Sequence, residues 1–134
     1  MNRIDIYIDW VPNNYCARPL SGDIPCVATG KTLEEVQQNI VEALSFHVEG
    51  LREMKEPIPR ALRGEYQPIF HLSTRAQLKY ADRFITRKAL ARETGIAEQQ
   101  LSHYANGQRH PRPEMQQRIT SGLQSICRRL SLIL

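Results

Sequence analysis

Thr86-Arg87-Lys88-Ala89-Leu90-Ala91-Arg92-Glu93-Thr94-Gly95-Ile96-Ala97-Glu98-Gln99-Gln100-Leu101-Ser102-His103-Tyr104-Ala105-Asn106-Gly107 reads as two short helices joined by a tight turn. Thr86 offers a hydroxyl cap to the first helix, and Asn106-Gly107 closes the second. Between them the turn needs a residue that tolerates positive φ, and Gly95 supplies it. Where the helices cross closely a small residue is needed, and Ala91 supplies that. Leu90, Ile96, Leu101 and Tyr104 fall where they lock the pair together. Glu98, Gln99, Gln100 and His103 are left on the outer side of the second helix.

Working outward, Ser73 or Thr74 begins a helix carrying Ala76, Leu78, Ala81 and Phe84, and Pro111 and Pro113 set the start of a longer one. In that last helix Met115, Ile119, Leu123, Ile126, Leu130 and Ile133 recur at steps of three and four. We read Leu123, Ile126, Leu130 and Ile133 as a seam for self-association, the alternative being that the stripe folds back on its own domain. Residues 73–134 are thus expected to be an all-α helix-turn-helix and dimerisation domain.

The first 72 residues have a different character. Ile4, Ile6 and Ile8 alternate with polar neighbours, as a half-buried strand does. Pro12-Asn13-Asn14 turns the chain into a second strand around Tyr15–Arg18, and residues 26–29 make a third, ending at Gly30. Thr32 and Glu35 stand at capping-box spacing. Leu33, Val36, Ile40, Leu44, Val48 and Leu51 then predict an amphipathic helix from Leu33 to Met54. Pro57 and Pro59 stop it. Residues 67–72 read as a last strand, with the loop from Arg60 to Glu65 as the most mobile part. The order is β-β-β-α-β, so the whole chain is predicted to be α+β.

Charge divides in the same place. Through Tyr66 there are seven basic and ten acidic residues, a balance of −3; beyond it there are eleven and four, a balance of +7. A basic half suits nucleic acid, where neutralising phosphates gives most of the sequence-independent affinity. Gln pairs bidentately with adenine and His donates to guanine acceptors, so Glu98, Gln99, Gln100 and His103 are candidates for base edges. Arg87, Asn106, Arg109 and Arg112 are candidates for phosphates.

Other classes find less support. No apolar run approaches the ~18 residues of a membrane span, and the N-terminus lacks the apolar core of a signal peptide, so a cytoplasmic protein without a membrane partner is expected. Cys16, Cys26 and Cys127 show no ligand spacing, which argues for reduced thiols and against a metal site. Asp5 and Asp9 share a strand face but stand about 13 Å apart at about 3.3 Å per residue, too far for one compact ion site. His47 has no paired nucleophile. Neither a cofactor nor an enzymatic step is called for.

The motif from Thr86 to Gly107, with its trailing Gln108-Arg109-His110-Pro111, resembles the helix-turn-helix of phage-repressor and Cro-type (XRE-like) regulators over roughly residues 78–126. Thr94 stands where that family usually has an apolar residue. The first half, from Asp23-Ile24-Pro25-Cys26-Val27-Ala28-Thr29-Gly30-Lys31-Thr32 through Asn39, Glu42-Ala43-Leu44, His47 and Glu49-Gly50-Leu51 to Glu56-Pro57-Ile58-Pro59, resembles the HicB antitoxin family over most of residues 4–70. That resemblance implies a degraded ribonuclease H-like fold. It also implies a HicA-like toxin that cleaves messenger RNA as partner, and autorepression through double-stranded operator DNA by a homodimer or higher oligomer. Glu34, Glu35, Glu42 and Glu49 are then candidates to face the toxin. A repressor whose first domain senses a small molecule is the alternative.

Overall fold

The computed structural model describes all of residues 1–134, and the chain divides into two compact units after Ser73. The first unit holds four strands, β1 (Asn2–Val11), β2 (Asn14–Pro19), β3 (Ala28–Gly30) and β4 (Tyr66–Leu72), and one long helix, α1 (Leu33–Glu53). The sheet order is β3-β2-β1-β4. Neighbouring strands run antiparallel except β1 and β4, which are parallel.

The hairpin follows from its corner residues. Val11 pairs with Asn14, which leaves Pro12 and Asn13 to turn the chain, and Asn13 takes φ 82°, a conformation asparagine tolerates better than most residues. Ile4, Ile6 and Ile8 point to one face and are buried there with Tyr15 and Ala17 from β2. Val36, Ile40, Leu44 and Val48 of α1 are buried in the same core. Fully burying a side chain of this size contributes about 1.5–3 kcal/mol, so this stripe sets the seat of α1 on the sheet. Gly30 allows the close approach, since a Cβ there would lie 2.6 Å from the Val36 amide nitrogen. Thr32 caps α1 by accepting from the Glu35 amide at 3.1 Å, and Asn39 Nδ2 donates to the Thr29 carbonyl at 2.8 Å.

The segment expected to be mobile is held instead. Residues Arg60–Leu62 form one turn of 3-10 helix, and Leu62 is buried beneath it. Asn2 Nδ2 donates to the carbonyls of Arg60 and Arg63, while Arg63 Nε donates to the Ile58 carbonyl at 2.8 Å. One apolar plug and three hydrogen bonds oppose the loop entropy that composition alone suggested.

The second unit is helical: α2 (Thr74–Ala81), α3 (Arg87–Thr94), α4 (Glu98–Ala105) and α5 (Pro113–Ser131). Leu78, Leu90, Ile96, Leu101, Tyr104 and Ile119 form its core, with Ala91, Met115, Leu123 and Ile126 packed against them. The proposed seam therefore divides. Leu123 and Ile126 are drawn onto their own unit, because the core needs a fourth wall, and only Leu130 and Ile133 remain exposed from the original set.

Candidate nucleic-acid interface

Thr86 Oγ1 accepts from the Ala89 amide at 3.0 Å and so starts α3. Gly95 ends it at φ 72°, with its amide donating to the Ala91 carbonyl. The turn thereby sets α4 across α3 with Leu90, Ile96, Leu101 and Tyr104 buried between them. Ala91 packs against this cluster, as a small crossing residue must.

Thr94 takes the place of an apolar residue by satisfying its own hydroxyl. Its Oγ1 donates to the Leu90 carbonyl at 2.8 Å and accepts from the Ile96 amide at 3.2 Å. A buried hydroxyl without partners costs energy, and here it has two while the methyl group packs inward. Arg118 Nη2 from α5 donates to the Thr94 carbonyl at 2.9 Å. Glu93 binds Arg129 Nη1 at 2.7 Å and accepts from Ser125 Oγ, tying the end of α3 to the far half of α5.

With Leu101 and Tyr104 facing the core, helical spacing puts Gln99, Ser102 and His103 on the opposite side of α4 and Glu98 at its exposed start. Glu98 and Gln99 are exposed; Ser102 and His103 are half-buried. Gln100 lies to the side, where its Nε2 donates to the Tyr104 hydroxyl at 2.8 Å. It therefore supports the core contact of α4 rather than standing with the outward set, a consequence of its place one turn before Tyr104. Ser102 was missed in the sequence, although counting three from Gln99 finds it.

Arg87 is also placed differently from a free phosphate ligand. It grips Asp82 through Nε at 3.1 Å and Nη2 at 2.7 Å, and its Nη1 donates to Ser102 Oγ at 3.0 Å. This guanidinium braces the start of α3 against the middle of α4. The loop after α4 is ordered by its own bonds: Asn106 Oδ1 accepts from the Gln108 amide, and the Arg109 amide donates to the His103 carbonyl. Arg75 donates to the Asn106 carbonyl. Asn106, Arg109 and Arg112 are exposed in the segment that follows α4, and the Arg109 amide is tied to the His103 carbonyl. Asp82 and Glu93, two of the four acidic residues in this unit, pair with Arg87 and Arg129, and the excess of eleven basic over four acidic residues keeps the unit net positive.

The carboxylates of the first unit have separate uses. Asp5 Oδ1 meets Arg3 Nε at 2.9 Å and His71 Nε2 at 2.8 Å, contacts that hold its pKa below the ordinary value, the His71 bond foremost. Asp9 accepts from Ser73 Oγ at 2.6 Å and from the Trp10 amide at 2.8 Å. Glu34, Glu35, Glu42 and Glu49 are all exposed on α1. The seven-residue steps put Glu35, Glu42 and Glu49 in one stripe that Glu53 extends, whereas Glu34 lies about a quarter turn away. Cys26 is buried, with its thiol near the Ala43 carbonyl, and burial pushes its pKa up, as suits an inert packed thiol.

Residues 85–125 match the helix-turn-helix family model. Over 40 residues the chain is 45% identical to an uncharacterized 14.9 kDa protein in the rep-hol intergenic region of Haemophilus phage HP1 (strain HP1c1). That similarity spans 29% of this chain and 30% of the phage protein. No solved structure matches the chain. The second unit thus carries a DNA-binding helix-turn-helix of the kind found in transcription regulators. No helix of the protein is long and apolar enough to cross a membrane.

Proposed function

We propose that this chain is the antitoxin of a HicAB-type toxin-antitoxin pair, which silences a small basic messenger-RNA-cleaving toxin and represses its own operon. The observation that carries the reading is the pairing in one chain of two oppositely charged units: a basic helix-turn-helix with an outward Gln99, Ser102 and His103, and an acidic α/β unit of β-β-β-α-β order. The glutamate stripe of α1 offers a basic nuclease a complementary surface, which speeds encounter and sets orientation. In this reading the first unit is a degraded ribonuclease H-like fold without a reaction of its own.

On DNA, α4 enters the major groove while Asn106, Arg109 and Arg112 hold phosphates, and Arg87 acts by keeping α4 in place. A two-fold operator is read by two copies with recognition helices about 34 Å apart, so the working species is a homodimer or a higher oligomer. The exposed end of α5 is the self-association surface. The small-molecule alternative would use the groove beside Cys26 and His47, whose walls are mainly apolar and bring together few polar groups to orient a ligand.

The test is expression of the tagged chain with its native flanking genes, followed by size exclusion in high salt and intact mass. A stoichiometric small basic protein that is toxic when expressed alone supports the reading. Loss of every partner, with operator binding intact, overturns the antitoxin role and leaves a DNA-binding regulator.

A further inference from the structure

Two apolar surfaces in this chain have no covering of their own, and their charges are opposite. The first is a groove of about 430 Å³ between the loop at Pro25, Cys26 and Val27 and the last three turns of α1. Phe46 stands on its lip with 78% of its surface exposed, and Val27 and Met54 are also exposed there. Glu42, Glu49 and Glu53 lie at −4, +3 and +7 from Phe46, so the same side of the helix is acidic. Arg52 falls on another side of the helix by the same count, and Lys55 lies past its end.

The second surface is the end of α5. Leu130, Leu132, Ile133 and Leu134 are exposed, Leu132 and Ile133 by 84% and 79%. Beyond Ser131 the amides of Leu132, Ile133 and Leu134 donate to the carbonyls of Arg129, Leu130 and Ser131, so the chain ends in a tighter 3-10-like turn that sets Ile133 over Leu130. Arg128 comes directly before it, and so does Arg129, whose guanidinium is already bound to Glu93 of its own unit, so Arg128 is the basic flank. An amphipathic helix that lays such anchors into an apolar groove is a common mode of recognition, and here the basic flank of one meets the acidic flank of the other.

We propose that the α5 tail of one copy docks in the Phe46 groove of a second copy, with reciprocal exchange closing a two-fold dimer. This gives the self-association surface its partner, and it rests on the self-association part of the proposed function, not on the toxin. Reciprocity favours a closed pair, because each copy contributes one tail and one groove. Glu42 and Glu49, one helical turn to either side of Phe46, belong to the face assigned to the toxin, so tail and toxin would compete for this side of α1.

The experiment is sedimentation velocity on the full-length chain and two surface variants, Phe46→Glu and the double variant Leu132→Glu/Ile133→Glu, alone and mixed. All the altered side chains are exposed, and circular dichroism is the check that each variant is folded. Each variant alone should dimerise at least 100-fold more weakly than the natural chain. Mixed one to one, they should recover a heterodimer at least 10-fold tighter than either alone, since the Phe46→Glu copy keeps a sound tail and the other a sound groove. A Phe46→Glu protein that still dimerises, with the tail variant monomeric, overturns the groove while leaving tail-mediated association standing. Two dimeric variants, or a natural chain monomeric at every concentration, overturn both.

Discussion

A Cβ built on Gly122 of α5 would lie 2.5 Å from Cγ2 of Thr94 at the end of α3. Two sequence oddities explain each other in this contact: a glycine within a long helix, and a threonine at a usually apolar position of the turn. Thr94 keeps its hydroxyl bonded to Leu90 and Ile96, which aims its methyl at α5, and only glycine leaves room for it. The pair lets α5 close against α3 beside the Arg118 and Glu93 clamps.

Gly122→Ala should therefore destabilise the protein, although helix propensity alone would give a gain of about 1 kcal/mol. Overpacking costs about 1–3 kcal/mol, and thermal unfolding should show a lower Tm. Thr94→Ser keeps the hydroxyl and removes the obstructing methyl. In the double variant Thr94→Ser/Gly122→Ala most of the loss should disappear, and a cycle with additive effects would break the proposed coupling.

Gln99→Ala and Arg87→Ala should weaken DNA binding in different ways. Removing Gln99 should relax discrimination at particular bases by about 1–3 kcal/mol. Removing Arg87 unlinks Asp82 from Ser102 and should lower affinity on all sequences together with Tm, because α4 loses its brace. Fluorescence anisotropy on operator and scrambled duplexes at two salt concentrations separates these outcomes. Gln100→Ala should resemble the Arg87 variant more than the Gln99 variant, since its bond is to Tyr104.

Asp5 makes a pH-dependent contribution whose sign is fixed by its partners. Its folded pKa is held below the ordinary 3.8, first by His71 and then by Arg3. The associated stability is present above about 3.8 and is lost as pH falls through the lowered value. Asp5→Asn should remove it, so urea midpoints of the natural and variant proteins should differ above pH 4 and converge in stronger acid. The difference should be small, since all three side chains are well exposed.

The amino-acid order by itself determined the elements whose cause is local. The Ile4, Ile6, Ile8 alternation made β1, Thr32 and the stripe from Val36 to Val48 made α1, and Thr86, Gly95 and the buried set around Leu101 made the helix-turn-helix. Periodicity, capping and positive φ are written within a few residues, so they can be read there. Tertiary structure decided what depends on distant partners. It turned Gln100 toward Tyr104 and Arg87 toward Asp82, seated Leu62 under a loop that composition made mobile, and drew Leu123 and Ile126 into their own core. It also left Phe46 and the α5 tail uncovered. A side chain's use is set by which groups reach it first across the fold, and no spacing along the chain carries that information.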